Sequence, residues 1–436
     1  MTRLEHAQSG VALTDLSYAY GPDAQLTSIL DNLDPSKSKA IAYDDLNRLV
    51  QVAEGVPVAQ GGVPIPVEDY AYDQEGNRLA SHLSALYSSN AHNQLLEDDD
   101  FTYAYDAKGN RVSKTSKLDG SVETYSYDSQ NRLVGYASPT VTASYAYDAL
   151  DRRIGKMVDG DHRAYIYDIS EDYPLRFDDI ALEFGLSVAP LLERRWLHSN
   201  HVDEPLGFEA YGSVAVAGSG TNYSLLSDRQ ASTLKVVENQ NNDVVATYEY
   251  DGFGQILLSQ ENLAQPYRYS GREFDSESRL YHLRARTYDP ALGNFLQDDP
   301  IGFASDQFNL YQYAYSDPFN YFDPTGYSGT ATKGILTAGA SVLAVDSYVG
   351  VGTSVISLSG SIARVMAFAA PAIVLTSSTP DENYEAEQES CDLARELAEK
   401  AVGEAFERCM LTASLAPTPR NRRIQIANCK ENARRG

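Results

Sequence analysis

Pairs of tyrosines two positions apart, each followed by aspartate, recur along the first 251 residues of the chain. Side chains two positions apart in a strand point to the same side, so this pattern predicts strands with one aromatic face. A polar turn and a second short apolar run follow most pairs, which predicts a β-hairpin for each unit. The pairs that show the pattern are Tyr103 and Tyr105, Tyr125 and Tyr127, Tyr145 and Tyr147, and Tyr248 and Tyr250.

The hairpin units share one plan and recur about every 20 residues, which is typical of a repeat architecture. In each unit Asp begins the turn, Gly-Asn supplies a positive φ, and the following Arg is expected to pair with acid on adjacent strands. A single hairpin is unstable alone, so the units are predicted to stack edge to edge into a long coiled sheet. The copies are YDDLNRLVQ (43–51), YDQEGNRLA (72–80), YDAKGNRVS (105–113), YDSQNRLVG (127–135) and YDALDRRIG (147–155).

Composition narrows the classes of function. The formal net charge is −26 and the sequence pI is about 4.6, so the body of the protein repels phosphates and is not expected to bind nucleic acid. The three cysteines, Cys391, Cys409 and Cys429, lie near the C-terminus, so no disulfide framework is predicted for the body. All seven histidines fall at or before His282, which excludes His-dependent chemistry from the residues beyond it.

Several motifs together resemble the RHS-repeat proteins, a group that includes bacterial Rhs toxins, Tc-toxin C components and teneurins. The resemblance rests on the Tyr-Asp units, on WLHSNHVDEPL (196–206) and YEYDGFGQI (248–256), and on residues 271–326, which are similar to the RHS-associated core. It implies a mainly β fold: a spiral of YD-repeat hairpins that forms a partial cocoon or shell, with a C-terminal core as plug and a helical tail. The shell of such proteins holds a C-terminal effector.

The domain organisation expected on this basis has four parts. Residues 1–255 form the YD-repeat shell segment and 256–327 the RHS-associated core, which acts as plug and autoprotease. Residues 328–380 are a segment rich in Gly, Ala and Ser, and 381–436 are a helical effector tail with a basic end. About 310 residues of repeats and core make few turns of a spiral, so the chain is expected to be a fragment or a short family member. Two turns depart from the family pattern, SDRQAS at 227–232 and Ser278-Arg279.

Two aspartates and one arginine of the core are the candidate catalytic residues. Two carboxylates that share one proton can activate water at a peptide carbonyl, one as base and the other as acid. The resemblance assigns these roles to Asp299 in DPIG and Asp323 in DPTG, with Arg286 upstream, and places the cut between Tyr327 and Ser328. Asp-Pro is also an ordinary turn dipeptide, so a purely structural role for these residues stays open. The sequence therefore does not decide whether the chain is an enzyme. The adjacent Asp298 is a weaker candidate.

The tail contains few signals of chemistry. Residues 334–380 are rich in small apolar residues, but the uncharged runs 347–363 and 365–380 are shorter than the about 20 residues that a membrane span needs. Contact of 334–380 with a membrane and storage inside a shell both remain open. Residues 384–411 have helical spacing, and Cys391 and Cys409 are too far apart on one helix to form a disulfide.

The preferred hypothesis is a shell protein that encloses a variable C-terminal toxin and releases it by self-cleavage. Alternatives are a non-enzymatic surface protein that binds carbohydrate or protein, and an inactive orphan cassette. Expected partners are the chain's own tail, a secretion system or toxin complex, and an immunity protein. The N-terminal MTRLEHAQSG lacks a Sec-type apolar run, so secretion or surface display by another route is expected. No cofactor or metal is expected, although His198, His201, Asp203 and Glu204 are ligand types.

Overall fold

The computed structural model of the chain describes residues 2–8, 10–167, 179–186, 191–199, 202–212, 218–305, 307–327 and 330–331. Over these residues the chain is mainly β, as the repeats predict. Apart from Thr330–Ala331, the predicted apolar segment lies outside the described residues, as do the predicted helical tail and the three cysteines. Short 3-10 helices span Pro35–Lys37, Val58–Gln60, Tyr269–Gly271, Gly302–Ser305 and Ala314–Ser316.

The strands are short, and most are joined by tight turns. In chain order they are β1 (Thr2–Gln8), β2 (Val11–Tyr20), β3 (Leu26–Asp31), β4 (Lys39–Tyr43), β5 (Leu49–Glu54), β6 (Ile65–Tyr72), β7 (Arg78–Ser81), β8 (Tyr87–Ser89), β9 (Leu95–Asp98), β10 (Phe101–Tyr105), β11 (Arg111–Ser116), β12 (Val122–Tyr127), β13 (Leu133–Ala137), β14 (Thr142–Tyr147), β15 (Arg153–Val158), β16 (Asp161–Tyr167), β17 (Ile180–Gly185), β18 (Leu191–His198), β19 (Pro205–Ala210), β20 (Thr221–Ser227), β21 (Thr233–Glu238), β22 (Asp243–Tyr250), β23 (Ile256–Glu261), β24 (Glu273–Asp275), β25 (Leu280–Leu283), β26 (Arg286–Asp289), β27 (Asn294–Phe295), β28 (Tyr321–Phe322) and β29 (Thr330–Ala331).

Within each sheet, every strand pairs antiparallel with its neighbours in sequence. β1–β7 form a first sheet and β8–β23 a large sheet of 16 strands, while β24–β27 and β28–β29 form two small sheets. Because no strand crosses over another, each pair of strands is a hairpin stacked on the one before it. The prediction of hairpins stacked edge to edge is confirmed.

The Tyr-Asp turns repeat one hydrogen-bond pattern. In the unit at Asp128, Oδ1 accepts from the main-chain N–H of Arg132 at 3.0 Å, and Asn131 adopts a φ of 63°. The pattern extends to two units that lack the Tyr-Asp signature, which begin at Asn90 and at Asp228. Turns in which the first residue accepts the N–H four positions later begin at Asp44, Asp73, Asn90, Asp106, Asp128, Asp148, Asp228 and Asp251.

The polar residue that ends each turn bonds mainly to the residue that begins the same turn. Arg152 Nε donates to Asp148 Oδ2 at 2.6 Å, which is a contact within its own turn. Arg132 contacts its own Asp128 in the same way, and its Nη1 also lies 2.8 Å from Asp151 Oδ1 in the next turn. The expected pairing with acid beyond the arginine's own turn is therefore seen at Arg132. Where such a link exists, it ties successive turns along one edge of the sheet.

Tyrosine rings line one face of the large sheet, as predicted. The first ring of a pair is buried, and Tyr125 is only 4% exposed. The second ring donates its hydroxyl to a carbonyl of the preceding hairpin, as Tyr127 does to Arg111 at 2.8 Å and Tyr147 to Leu133 at 2.9 Å. Each unit thus satisfies a main-chain group of its neighbour, which explains why tyrosine suits this position better than phenylalanine.

The end of the large sheet contacts the first sheet. Lys235 Nζ donates to the carbonyl of Leu13 at 2.6 Å, and Lys39 Nζ donates to the carbonyl of Tyr250 at 2.9 Å. The main-chain N–H of Gly252 donates to Glu68 Oε2 at 2.8 Å. These bonds join residues more than 180 positions apart and define a seam between β1–β6 and the hairpins of β20–β23.

The seam contains a carboxylic acid that makes stability depend on pH. Burial, together with the charge of Glu68, raises the pKa of Asp251 to about 7. In the unfolded chain the pKa of an Asp is about 3.9. Between these two pKa values the folded chain keeps a proton that the unfolded chain has lost, so the folded state loses stability as the pH rises towards 7. Asn does not titrate, so the free energy of unfolding of Asp251→Asn minus that of wild type should increase by about 2 kcal/mol from pH 5 to pH 8. Urea unfolding followed by Trp196 fluorescence measures both free energies.

Asp128→Asn is the matched control for this titration. Asp128 occupies the same turn position, but hydrogen bonds from Arg132 outweigh burial and lower its pKa. Its contribution to stability is lost only as pH falls below the usual carboxyl range, so its effect should be constant between pH 5 and pH 8. Equal pH dependence in the two variants would contradict the assignment to the seam.

Residues 262–327, here called the core segment, pack against the tyrosine face. Arg153 of β15 donates from Nη1 to Asp275 Oδ2 at 2.6 Å and from Nη2 to Glu273, and all three side chains are buried. Arg111 of β11 lies 2.8 Å from Asp289 in the same way. The arginine that begins the second strand of a hairpin therefore ties the large sheet to the core segment.

Candidate functional site

Arg286 brings the two predicted aspartates together. It begins β26, its side chain is 1% exposed, and its guanidinium lies 3.6 Å from the ring centre of Phe295. Nη2 is 3.1 Å from Asp323 Oδ2 and 3.2 Å from Asp299 Oδ2. Since one nitrogen contacts both carboxylates, the two acids are close neighbours although 24 residues separate them in sequence.

Two Asp-Pro turns present these carboxylates. Asp299 Oδ1 accepts from the N–H of Ile301 at 3.0 Å, which closes the first turn. Asp323 Oδ1 accepts from the N–H groups of Gly326 at 2.8 Å and Tyr327 at 3.2 Å. An Asp that caps its own turn in this way leaves its second oxygen directed outwards, here to Arg286. Asp323 consequently contacts Tyr327, the residue that precedes the bond predicted to be cut.

Burial shifts the pKa values of two groups in the site, Asp299 and Arg286. It raises the pKa of Asp299, and the attraction of Arg286 opposes this only in part. Oδ2 of Asp299 lies within ion-pair distance of Arg286 but accepts no hydrogen bond from the described residues, so its hydrogen-bonding capacity is not used up. Burial likewise lowers the pKa of Arg286, against the charges of Asp323 and Asp299. A carboxyl group whose pKa is raised, beside a second carboxylate, is the kind of pair that general acid–base chemistry uses.

Asp298 lies in a different environment. Burial raises its pKa, and its side chain interacts with the Tyr311 hydroxyl. A Cβ built on Gly109 would meet Asp298 Oδ2 at 2.5 Å, which places this carboxylate against a turn of the large sheet. Asp298 thus faces the repeats, whereas Asp299 faces Arg286.

Three successive residues hold the loop that precedes the predicted cut. Arg284 Nη1 donates to the carbonyl of Pro324, and the N–H of Ala285 donates to the carbonyl of Thr325 at 3.2 Å. Arg286 Nε donates to the carbonyl of Gly326. This grip on residues 324–326, here called the cleavage loop, was not predicted, because no local motif in the sequence signals it.

A cavity of about 240 Å³ adjoins the cleavage loop. Thr325 and Tyr327 form part of its wall, together with Arg284, Ala285 and Tyr167 of the large sheet. The Tyr327 side chain is 37% exposed and can reach this space. Ser328, on the other side of the predicted cut, lies outside the described residues.

The histidine-containing stretch at 198–204 forms other contacts. His198 Nε2 lies 3.0 Å from the carbonyl of Ile180, and Asp203 is paired with Arg272 and Arg284. His201 lies outside the described residues. Within the described part of the chain, no group of His, Cys, Asp and Glu could hold a metal ion. No helix in that part has the length and apolar character to cross a membrane.

The two glycines of the DPxG motifs differ in how closely the backbone surrounds them. Gly326 has a φ of +73°, and a Cβ there would lie 2.3 Å from the carbonyl oxygen of Leu283 and 2.9 Å from the nitrogen of Arg286. Gly302 has a φ of +56° and nothing within 4 Å. Gly326→Ala must therefore displace the cleavage loop, and a displacement of about 1 Å can cost a reaction about 100-fold.

Self-cleavage of the two glycine variants is the test. The full-length chain is synthesised in a cell-free system, and the loss of uncut chain is followed with time. Gly326→Ala should slow the cut by about 100-fold, while Gly302→Ala should stay within about tenfold of wild type, since it adds backbone strain without a clash. Equal rates for the two variants would count against close contact of the loop with β25 and β26.

Comparisons with known proteins agree with the repeat architecture. The teneurin YD-shell family matches residues 16–174 and 210–319, which together exceed half of the chain. The tRNA nuclease WapA of Bacillus subtilis is 30% identical over 302 residues, which are 65% of this chain and 12% of that protein. The double-stranded DNA deaminase toxin A of Burkholderia cenocepacia is 25% identical over 350 residues, 73% of this chain and 23% of that protein. This chain therefore spans a small part of the relatives' length.

A solved structure shares the fold. The Tc holotoxin pore of Photorhabdus luminescens contains a chain that aligns with a TM-score of 0.54 and 16% identity. The alignment covers 73% of this chain and 17% of that one. At this identity the likeness concerns the fold alone.

Proposed function

Because the chain belongs to the teneurin YD-shell family, we propose that its sheets form part of a shell around a C-terminal effector, which the core segment cuts free. The shell corresponds to residues 1–255, the plug and autoprotease to 256–327, and the released part to the residues from Ser328 onwards. The reaction is hydrolysis of the Tyr327–Ser328 peptide bond, and it occurs once in each chain.

The chemistry follows from the two acids. Asp323, as the ionised carboxylate, takes a proton from a water molecule, whose oxygen attacks the carbonyl carbon of Tyr327. Asp299, as the protonated acid, donates its proton to the substrate as the bond to the Ser328 nitrogen breaks. The products are a carboxylate on Tyr327 and an amine on Ser328. Arg286 holds both acids and stabilises the negative charge that develops.

One observation carries this proposal. Arg286, Asp299 and Asp323 meet at a single guanidinium nitrogen, and Asp323 bonds to the N–H of Tyr327. An ordinary Asp-Pro turn requires neither burial of both acids nor a shared arginine. The raised pKa of Asp299 supports its role as the acid.

The relatives support an effector as the released part. They include proteins named as a tRNA nuclease, a DNA deaminase toxin and the toxin protein Tse5 of Pseudomonas aeruginosa. We infer that this chain also delivers a toxic C-terminal part, that it acts outside the producing cell, and that its partners are a toxin complex or secretion system and an immunity protein. The activities named for the relatives differ from one another, so these names do not identify the activity of the part released here.

Growth of a bacterium that expresses the released part tests the effector role. Residues 328–436 are expressed alone, in the cytosol and in the periplasm, beside full-length Asp299→Asn as a matched chain that keeps its tail attached. Residues 328–436 should slow growth in at least one compartment, and the uncut chain should slow it less. Normal growth with a stably produced 328–436 fragment in both compartments would contradict a bacterial toxin.

A further inference from the structure

One buried carboxylate of the large sheet is shared between two arginines of the core segment. Asp203 lies in the turn between β18 and β19, and its side chain is 1% exposed. Arg272 Nη1 lies 2.7 Å from Asp203 Oδ1, and Arg284 Nη2 lies 2.8 Å from the same oxygen. A buried carboxylate with two guanidinium partners has few arrangements that satisfy all three groups, so it fixes the turn against the core segment.

Arg284 carries this contact on to the cleavage loop. Its Nη1 lies 3.2 Å from Asp203 Oδ2 and also donates to the carbonyl of Pro324. Its backbone adopts a φ of 52°, an uncommon conformation for arginine that persists only where the surroundings hold it. The guanidinium therefore bridges a turn of the repeats and the loop three residues before the predicted cut.

Arg272 differs from Arg284 in one respect. Its other hydrogen bonds within the described residues go from Nε and Nη2 to the carbonyl of His282, at 3.1 Å and 2.9 Å. Both arginines thus neutralise Asp203, but only Arg284 bonds to the cleavage loop. Substitution of Arg272 removes an ion pair of Asp203 without removing a bond to the cleavage loop, whereas substitution of Arg284 removes both.

We propose that Asp203 acts through Arg284 as a positioning residue, so that the bond after Tyr327 is cut only once the turn at 202–204 has docked on the core segment. The inference rests on the proposed self-cleavage and adds a condition to it, namely assembly of the repeats around the core. A chain whose repeats have not yet folded keeps its tail attached. Release before the shell has formed is thereby prevented.

The rate of cleavage in four variants tests this. Full-length wild type, Arg284→Met, Arg272→Met, Asp203→Asn and Arg284→Lys are made by cell-free synthesis, and the uncut fraction of soluble chain is followed with time. Arg284→Met and Asp203→Asn should each slow the cut by about 10- to 100-fold, since the loop loses its hold near the reacting bond. Their double variant should be no slower than the slower single variant. Arg284→Lys, which keeps the positive charge but not the planar guanidinium, should recover part of the rate.

Arg272→Met is the control for a purely structural role. It leaves Arg284 bonded both to Asp203 and to the cleavage loop, so the turn stays docked in the folded, soluble chain. The melting temperature should therefore fall, while the rate of cleavage in the soluble chain should stay unchanged. If Arg284→Met cuts as fast as wild type, or if Arg272→Met slows the cut equally, the positioning role is wrong while self-cleavage stands. If wild type itself stays uncut, the proposed function fails instead, so the two failures are distinguishable.

Discussion

Asp299→Asn and Asp323→Asn are each expected to leave the full-length chain uncut, with the rate of self-cleavage reduced by about 100- to 10,000-fold. Asn has nearly the size of Asp and can still cap the Asp-Pro turn, so the fold should persist. It can neither donate the proton that Asp299 supplies nor take the one that Asp323 accepts. Electrophoresis of freshly synthesised chains measures the effect.

Asp298→Asn is the matched control for these variants. Asp298 is adjacent to Asp299, but it interacts with Tyr311 and faces the repeats. Its variant should be cut at a rate close to that of wild type. Loss of cleavage in Asp298→Asn together with normal cleavage in Asp299→Asn would reverse the assignment of the acid.

Arg153→Met is expected to lower the free energy of unfolding by about 3–5 kcal/mol, because it leaves buried carboxylate charge without its partner. Arg153 is buried between Glu273 and Asp275, and Lys156 can compensate only the latter, from 2.8 Å. Urea unfolding followed by Trp196 fluorescence measures the change. The Asp299→Asn background keeps the chain uniform during the measurement.

Arg152→Met provides the comparison at the neighbouring position. Arg152 pairs with Asp148 in a partly exposed turn, where an ion pair contributes about 1 kcal/mol or less. Adding Glu273→Gln to Arg153→Met should restore part of the lost stability, since it removes the unpaired charge. If Arg152→Met and Arg153→Met cost the same, the link between the sheet and the core segment is not ionic.

The repeat pattern was sufficient to predict hairpins, their stacking and the aromatic face. These features depend on residues close in sequence, such as the tyrosine pair and the Asp that begins each turn. The unit at Asn90 was missed because asparagine takes the place of the turn aspartate. The turn at 227–232 was identified only as a departure from the family pattern, since Ser227 stands where the Tyr-Asp units have tyrosine and Ala231 occupies the position with positive φ, at 62°.

Only part of the candidate site could be predicted. Resemblance to the family singled out Arg286, Asp299 and Asp323, and the fold brings them together. The hold on the cleavage loop by residues 284–286, and the link from Arg284 to Asp203, depend on packing between segments that are 40 and 81 positions apart. No local pattern in the sequence encodes such contacts. Asp203 illustrates this, since the sequence shows only a residue of a metal-ligand type with no metal expected, whereas the fold pairs it with two arginines.

The mass of the purified full-length protein tests the central claim most directly. We expect wild type to yield two fragments whose masses correspond to residues 1–327 and 328–436, with Ser328 as the new N-terminus. Asp299→Asn should yield the mass of the whole chain. A wild-type protein that keeps the mass of the whole chain, or that is cut elsewhere in both forms, would contradict self-cleavage at this site and favour a non-enzymatic binding protein.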